Sequence, residues 1–285
     1  SISSNVPVQV KANTESGYLE NIKEISTGTN MSMALDESGN VYTWGLNDYG
    51  QLGLGNKTNT KIPTSVPGIF NITKIEGGNK SSYAITDEGE VYAWGYNSNG
   101  QLGDGTNTIR TSPVKVVNIS GIIDISASTT DQTLALKDDG TVWGWGYASL
   151  GALTDVGGSI PKQISTTDGT RMTDISSISS GYYASLVITD NGEVLSFGNN
   201  GYGELGLGNT ISTSVPSNVI ENKDTNLKNV FLAQMGKHYS IYAKEDGSVW
   251  ATGYNEYGQL GNTSTITINT PENISLDYLA LDVLE

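Results

Sequence analysis

The chain has no cysteine, one histidine and two arginines in 285 residues. The first absence excludes disulfides, thiolate nucleophiles and cysteine-ligated zinc. It does not indicate a redox compartment, because a cysteine-free chain tolerates either. Arg110 and Arg171 are the only guanidinium groups, and 15 Lys and Arg face 30 Asp and Glu, for a net charge of −15. A nucleic-acid surface needs clustered cations that displace counterions from phosphates. That partner is excluded here, and an anionic membrane surface with it. No apolar run is long enough to span a bilayer. The opening SISSNVPVQV is not a signal peptide. With His238 as the only imidazole, a Ser-His-Asp site would need a nucleophile and an acid beside it, and no motif supplies them.

Glycine is abundant, at 35 residues, and it recurs in register. The stretch VYAWGYNSNGQLGDG from Val91 returns as VYTWGLNDYGQLGLG from Val41, VWGWGYASLGALTDV from Val142, VLSFGNNGYGELGLG from Val194 and VWATGYNEYGQLGNT from Val249. The Trp-Gly step and its variants end at Gly45, Gly95, Gly146, Gly198 and Gly253, spaced 50, 51, 52 and 55 residues apart. Such a period identifies a repeat protein. Each copy opens as a strand, with Val91, Ala93 and Gly95 on one side and Tyr92 and Trp94 on the other. A proline follows at Pro63, Pro113, Pro161, Pro216 and Pro271. Proline lacks an amide donor, so the segments it leads suit outermost strands. Then comes an apolar pair three apart (Ile22/Ile25, Ile72/Ile75, Ile122/Ile125, Ile175/Ile178, Val230/Ala233) and an alternating run such as Ser82-Tyr83-Ala84-Ile85. An acid-Gly turn, Asp87-Glu88-Gly89 in the second copy, leads back to the Trp-Gly strand as a hairpin.

One repeat is therefore four short strands with no helix. Strands this short cannot keep their apolar sides dry alone, and a radial array of four-stranded sheets solves the problem. The expected fold is all-β: a β-propeller of four-stranded blades, forming one domain over 1–285. Five complete repeats cover about 21–70, 71–120, 121–172, 173–228 and 229–277. Partial strands stand at 5–10 and 278–285, the first an outer and the second an inner strand without a blade. The ring is then six-bladed, or part of a seven-bladed ring whose parent chain is longer.

The Trp-Gly step followed by Asn-x-x-Gly-Gln-Leu-Gly resembles the regulator-of-chromosome-condensation repeat family. Gly50 to Gly53, Gly100 to Gly103 and Gly258 to Gly261 read GQLG; Gly203 to Gly206 read GELG, and Gly151 to Thr154 have decayed to GALT. The resemblance covers nearly the whole chain and implies the propeller fold. The regulator that gives the family its name exchanges nucleotides and binds chromatin. Its repeats usually carry a histidine shortly after the first-strand glycine, and His238 is one place out of that register. With the acidic charge, this departure argues against carrying over either activity.

Strand alternation puts the loop between the first and second strands, and the long loop after Trp-Gly, at one end of each blade. The candidate binding residues there are Tyr182, Tyr183, His238 and Tyr239 in the short loops and Tyr96, Tyr147 and Tyr254 in the long ones. Tyrosine on a rigid frame offers contact area at low entropic cost. Tyr49, Tyr202 and Tyr257 occupy a position that in the family packs locally, and Trp44, Trp94 and Trp145 are expected between blades. Asp138, Gly140 and Trp143 fit the spacing of a sialidase Asp-box hairpin, but binding a sugar carboxylate there takes several arginines. Asn47-Asp48 and Asp104 offer oxygens to calcium without the alternating spacing of a dedicated loop. No metal or cofactor is expected. The function expected is non-catalytic protein binding through the aromatic loop face, in a bacterial exported or cell-surface protein. A glycan-binding or glycan-hydrolysing propeller is the alternative, and a structural spacer the third.

Overall fold

In the computed structural model the described residues are 5–12, 17–147, 158–165 and 172–274. They form five four-stranded sheets and one two-stranded hairpin, and no helix is found among them. Blade 1 consists of Ile22–Gly28, Met31–Asp36, Val41–Gly45 and Thr60–Ser65. Blade 2 consists of Ile72–Gly77, Ser81–Thr86, Val91–Gly95 and Arg110–Lys115. Blade 3 consists of Ile122–Ala127, Gln132–Lys137, Val142–Gly146 and Gly158–Gln163. Blade 4 consists of Ile175–Ser180, Ala184–Thr189, Val194–Gly198 and Thr213–Asn218. Blade 5 consists of Val230–Met235, Tyr239–Lys244, Val249–Gly253 and Ile268–Asn273. In each sheet the strands lie side by side in chain order.

Two bulges explain the oddest features of the repeat. The first strand shifts register after its first residue, as between Ile72 and Lys74 or Ile175 and Ser177. A spacing of three would normally put two side chains on opposite faces of a strand. The extra residue restores the match, so Ile72 and Ile75 are both 1% exposed. The second bulge falls at the Trp-Gly step, between Ala93 and Gly95. Gly95 there has φ 104°, and a Cβ would lie 2.4 Å from the Lys80 carbonyl oxygen. Only glycine fits.

The prolines do lie in outermost strands, but do not lead them. Each is the fourth residue, as Pro63 is in Thr60–Ser65. The donor it lacks is not needed on an edge. Residues 5–10, where a partial strand was expected, form none of the assigned strands, and an isolated bridge, Lys11 to Tyr18, follows them. Val6 and Val8 are exposed. The partial strand expected at 278–285 lies outside the described residues. An unexpected hairpin, Ile220–Asn222 with Thr225–Asn226, follows blade 4 and accounts for the longest repeat spacing.

The chain divides into two compact units, Ser1–Asp138 with Trp143–Tyr147 and Val156–Lys162, and Asp139–Val142 with Ala148–Asp155 and Gln163–Glu285. Within the first unit the core lies between successive blades. Trp94 packs with Met31, Met33 and Leu52, and Trp145 with Tyr83, Ala93 and Leu102. Within the second, Tyr242 and Ala233 pack with Leu186, Leu205 and Val219. Burying each such side chain stabilises by about 1.5–3 kcal/mol.

Candidate functional site

The long loop of blades 1, 2, 4 and 5 is held open and rigid by one asparagine. Asn47 Oδ1 accepts from the Leu52 amide at 2.9 Å, and its Nδ2 donates to the Asn56 and Thr58 carbonyls, each at 3.1 Å. Asn97, Asn200 and Asn255 repeat these bonds in blades 2, 4 and 5. All four are fully buried. The third copy has Ala148 at this position, outside the described residues. A loop pinned at three backbone points holds its aromatic side chains in place.

In the first unit this frame carries a small group. The Tyr49 and Tyr96 rings meet edge to face at 5.1 Å, with the Lys80 ammonium 4.7 Å from the first ring and 5.7 Å from the second. Tyr147 stands on blade 3, 38% exposed, at the end of the described loop. Asp104 is fully engaged: Arg110 Nε, Asn97 Nδ2 and the Thr106 amide and hydroxyl donate to it. These bonds hold its carboxyl below the usual carboxylate range despite the opposing effect of burial.

In the second unit the frame carries a continuous aromatic patch. Tyr182 touches Tyr183 at 4.5 Å and His238 at 5.0 Å between ring centres. His238 meets Tyr202 at 4.8 Å, Tyr202 meets Tyr254 at 4.9 Å, and Tyr254 meets Tyr257 at 6.0 Å. Lys237 Nζ lies 5.1 Å from the Tyr182 ring. Tyr183 has φ 62° and is the one aromatic residue in the left-handed region among the described residues, a strained setting for a bulky side chain.

Four expected site residues, Tyr182, Tyr183, His238 and Tyr254, thus come together. Tyr96 joins the smaller group. Tyr239 departs from expectation: it begins the second strand of blade 5, and its ring lies against the Gly236 backbone, where a Cβ would be 2.5 Å from Cε1. Tyr202 and Tyr257, expected to pack locally, are 41% and 85% exposed and extend the patch. Their place in the motif was visible; that neighbouring loops bring a histidine and a second tyrosine to Tyr202 was not.

Beneath the patch lies Glu204, with a side chain 1% exposed. It stands where blades 1, 2 and 5 have glutamine, and accepts from Asn199 Nδ2 at 2.7 Å and the Tyr202 amide at 2.8 Å. Burial raises its carboxyl above the usual range. Burial, and then the Lys237 charge, hold the His238 imidazole below its usual range. His238 Nδ1 is 3.8 Å from the Glu204 carboxyl, too far for a hydrogen bond, and has no other partner. The two groups are thus driven towards neutrality rather than into an ion pair. Ser240 Oγ donates to the Glu204 carbonyl at 2.6 Å, so the nearby hydroxyl is spent on the backbone. The arrangement presents flat, uncharged rings with hydroxyl edges: a contact surface with no assembled nucleophile, base and acid.

Comparison with known proteins agrees with this architecture. The family described as the RCC1-like domain matches residues 3–279. The human E3 ubiquitin-protein ligase HERC2 is 32% identical over 252 residues, which are 87% of this chain and 4% of the ligase, so the chain spans a small fraction of that relative. The structure of human WBSCR16 superposes with a TM-score of 0.77 at 21% identity, over 90% of this chain and 67% of that one. Prp20p of Saccharomyces cerevisiae, described with its binding to Gsp1p and histones, superposes with a TM-score of 0.68 at 19% identity, over 90% and 77%. These structural likenesses show the β-propeller fold.

Proposed function

The chain belongs to the RCC1-like domain family, a protein-interaction type of module, and from that premise we propose that it binds a protein partner through the aromatic loop surface of its second unit, without catalysis. The observation that carries the proposal is the run of ring contacts from Tyr183 through Tyr182, His238, Tyr202 and Tyr254 to Tyr257 on asparagine-pinned loops. Tyrosine is enriched at binding hot spots because it couples a large apolar ring to a polar edge. An uncharged imidazole among such rings costs little to desolvate when a partner covers it. The composition, rich in Asn, Thr, Ser and Gly with two Arg, supports a bacterial cell-surface setting as part of the same proposal.

The test compares the two units. Tyr202→Ala with Tyr254→Ala is expected to abolish saturable capture of a partner protein by the immobilised chain and to shift the melting temperature little, since both rings are at the surface. Tyr49→Ala with Tyr96→Ala is expected to leave capture intact. Capture that survives the first pair, or is lost equally with the second, rejects the proposed surface. Binding that a glycan array reproduces and no protein does would replace the partner class.

A further inference from the structure

The blade junctions inside the two units repeat one pair of positions. The residue before the second strand of a blade, and the Gln or Glu in the long loop of the preceding blade, flank the same glycine. A Cβ at Gly95 would lie 2.4 Å from the Lys80 carbonyl oxygen and 3.2 Å from Gln51 Cα. At Gly146 it would lie 2.3 Å from the Asp131 carbonyl oxygen and 3.2 Å from Gln101 Cα. At Gly253 it would lie 2.4 Å from the His238 carbonyl oxygen and 3.2 Å from Glu204 Cα. Lys80 and His238 therefore occupy equivalent places, and so do Gln51 and Glu204.

The rings around them correspond as well. The Tyr49 and Tyr202 amides donate to the side chains of Gln51 and Glu204, at 2.9 and 2.8 Å. The Tyr96 and Tyr254 amides donate to the Lys80 and His238 carbonyls, at 2.9 and 2.8 Å. Tyr49 meets Tyr96 edge to face at 5.1 Å, and Tyr202 meets Tyr254 edge to face at 4.9 Å. In the first unit an ammonium fills this clamp: Lys80 Nζ lies 4.7 Å from one ring centre and 5.7 Å from the other, where the ring faces attract a cation. In the second unit an imidazole fills it, 4.8 Å from Tyr202 and 6.4 Å from Tyr254. Histidine is the side chain whose ordinary charge change falls between about pH 5 and 8. Where the first clamp has the Gln51 amide, the second has a carboxyl 3.8 Å from His238 Nδ1. Three more groups surround the site. Tyr182 stands 5.0 Å from the imidazole, the Lys237 ammonium lies over the Tyr182 ring at 5.1 Å, and Glu256 accepts from the Tyr254 hydroxyl at 2.6 Å. Lys237 opposes a charge on His238, whereas the two clamp rings and the Glu204 carboxyl favour one.

We propose that His238 is a proton switch in the aromatic surface: uncharged at neutral pH, it becomes on acidification the cation of the Tyr202–Tyr254 clamp, donating to Glu204, and partner binding weakens. The second clamp then takes the form that the Lys80 clamp has already. Burial, and then the Lys237 charge, put the midpoint of this step below the usual 6.5 of the imidazole. Covering a charged ring costs more than covering a neutral one. When a partner takes only the neutral form, its affinity falls with the neutral fraction, about tenfold for each pH unit below the midpoint. The effect on a partner rests on the binding surface proposed above; the proton step itself does not.

The test needs no partner. The chain has one histidine, so its Cε1–H resonance in a pH titration by NMR reports this site alone. The ring resonances of Tyr202 and Tyr254, assigned with Tyr202→Phe and Tyr254→Phe, are expected to move with the same midpoint, and those of Tyr49 and Tyr96 to stay. Glu204→Gln copies Gln51 and should lower the midpoint; Lys237→Gln should raise it. His238→Lys copies Lys80 and should give Tyr202 and Tyr254, at neutral pH, the resonance positions that they reach in the parent below the midpoint. Clamp rings that ignore the histidine midpoint, a midpoint unmoved by Glu204→Gln, or a His238→Lys spectrum unlike the acid form would each overturn the switch. Capture of a partner that stays constant across the midpoint would overturn its effect on binding. The expected titration with no partner captured at any pH would support the switch and reject only the binding surface.

Discussion

The two units join their blades through the same backbone carbonyl but surround it differently. In the first, Gln51 and Gln101 are each met by an indole, Trp94 or Trp145. In the second, short hydroxyls take over: Ser240 reaches Glu204, and Thr252, in the tryptophan position, donates to the Gly203 carbonyl at 3.1 Å. The side chain beside the carbonyl changes from amide to acid, and the rings above grow from a tyrosine pair to a patch of five tyrosines and a histidine. The repeat therefore conserves a main-chain joint. Side chains around that joint can change without loosening it, which leaves the loops free to build a surface in one unit and not in the other.

The largest effect expected from this contrast is on packing. Trp94→Ala removes a fully buried ring and the donor to Gln51, and should cost about 3–5 kcal/mol. Thr252→Ala should cost about 1–2 kcal/mol, the range for a lost buried hydrogen bond. Denaturant titration of both variants checks the difference, and equal costs would mean that the indole adds nothing to the joint. Next comes the feature the units share. Asn47→Ala and Asn255→Ala each strand one amide and two carbonyls in a long loop, so each should cost about 2–3 kcal/mol. Unequal costs would show that the loops are framed differently.

The smallest effect is electrostatic. Glu76 accepts from Ser26 Oγ and the Ala127 amide, tying blades 1, 2 and 3. Burial pushes its carboxyl from 4.5 up to about 7. The folded chain keeps this proton up to about pH 7, whereas the unfolded chain loses it near 4.5. Across that window the native state binds more protons, so stability falls as pH rises and levels off above it. Glu76→Gln should remove this component and gain about 1–2 kcal/mol at pH 8, discounted from the full shift because the side chain is only partly enclosed. Glu204→Gln should act in the same direction. A pH titration in which either variant is less stable than the parent at pH 8 would contradict the assigned burial.

Much of the fold was legible because its signals are local. The Trp-Gly step, the acid-Gly turn and the alternating run each carry their own backbone preference, and five copies make the period plain. The proline placed the outer strand but not its first residue, because any position on an edge tolerates a missing donor. The pair Ile72 and Ile75 showed that something was buried; only the bulge explained how a spacing of three could face one way. The site was less legible. Tyr182, Tyr183, His238 and Tyr254 were recognisable as loop aromatics, yet Tyr239, next to His238, laid its ring against Gly236, and Tyr202 joined the patch. A one-residue step along the chain reverses a side chain's direction, and no local preference sets the outcome for a ring at a loop's edge.

By itself, then, the sequence determined the five four-stranded sheets, their strand order and the loops that carry tyrosine, because hydrogen-bond ladders and glycine turns are dictated within some fifty residues. Tertiary structure alone decided which rings meet, that Glu204 lies beneath them, and that Trp94 and Trp145 are sealed while Trp44 is not. Those outcomes depend on a neighbouring blade, brought into contact from a distant point in the chain.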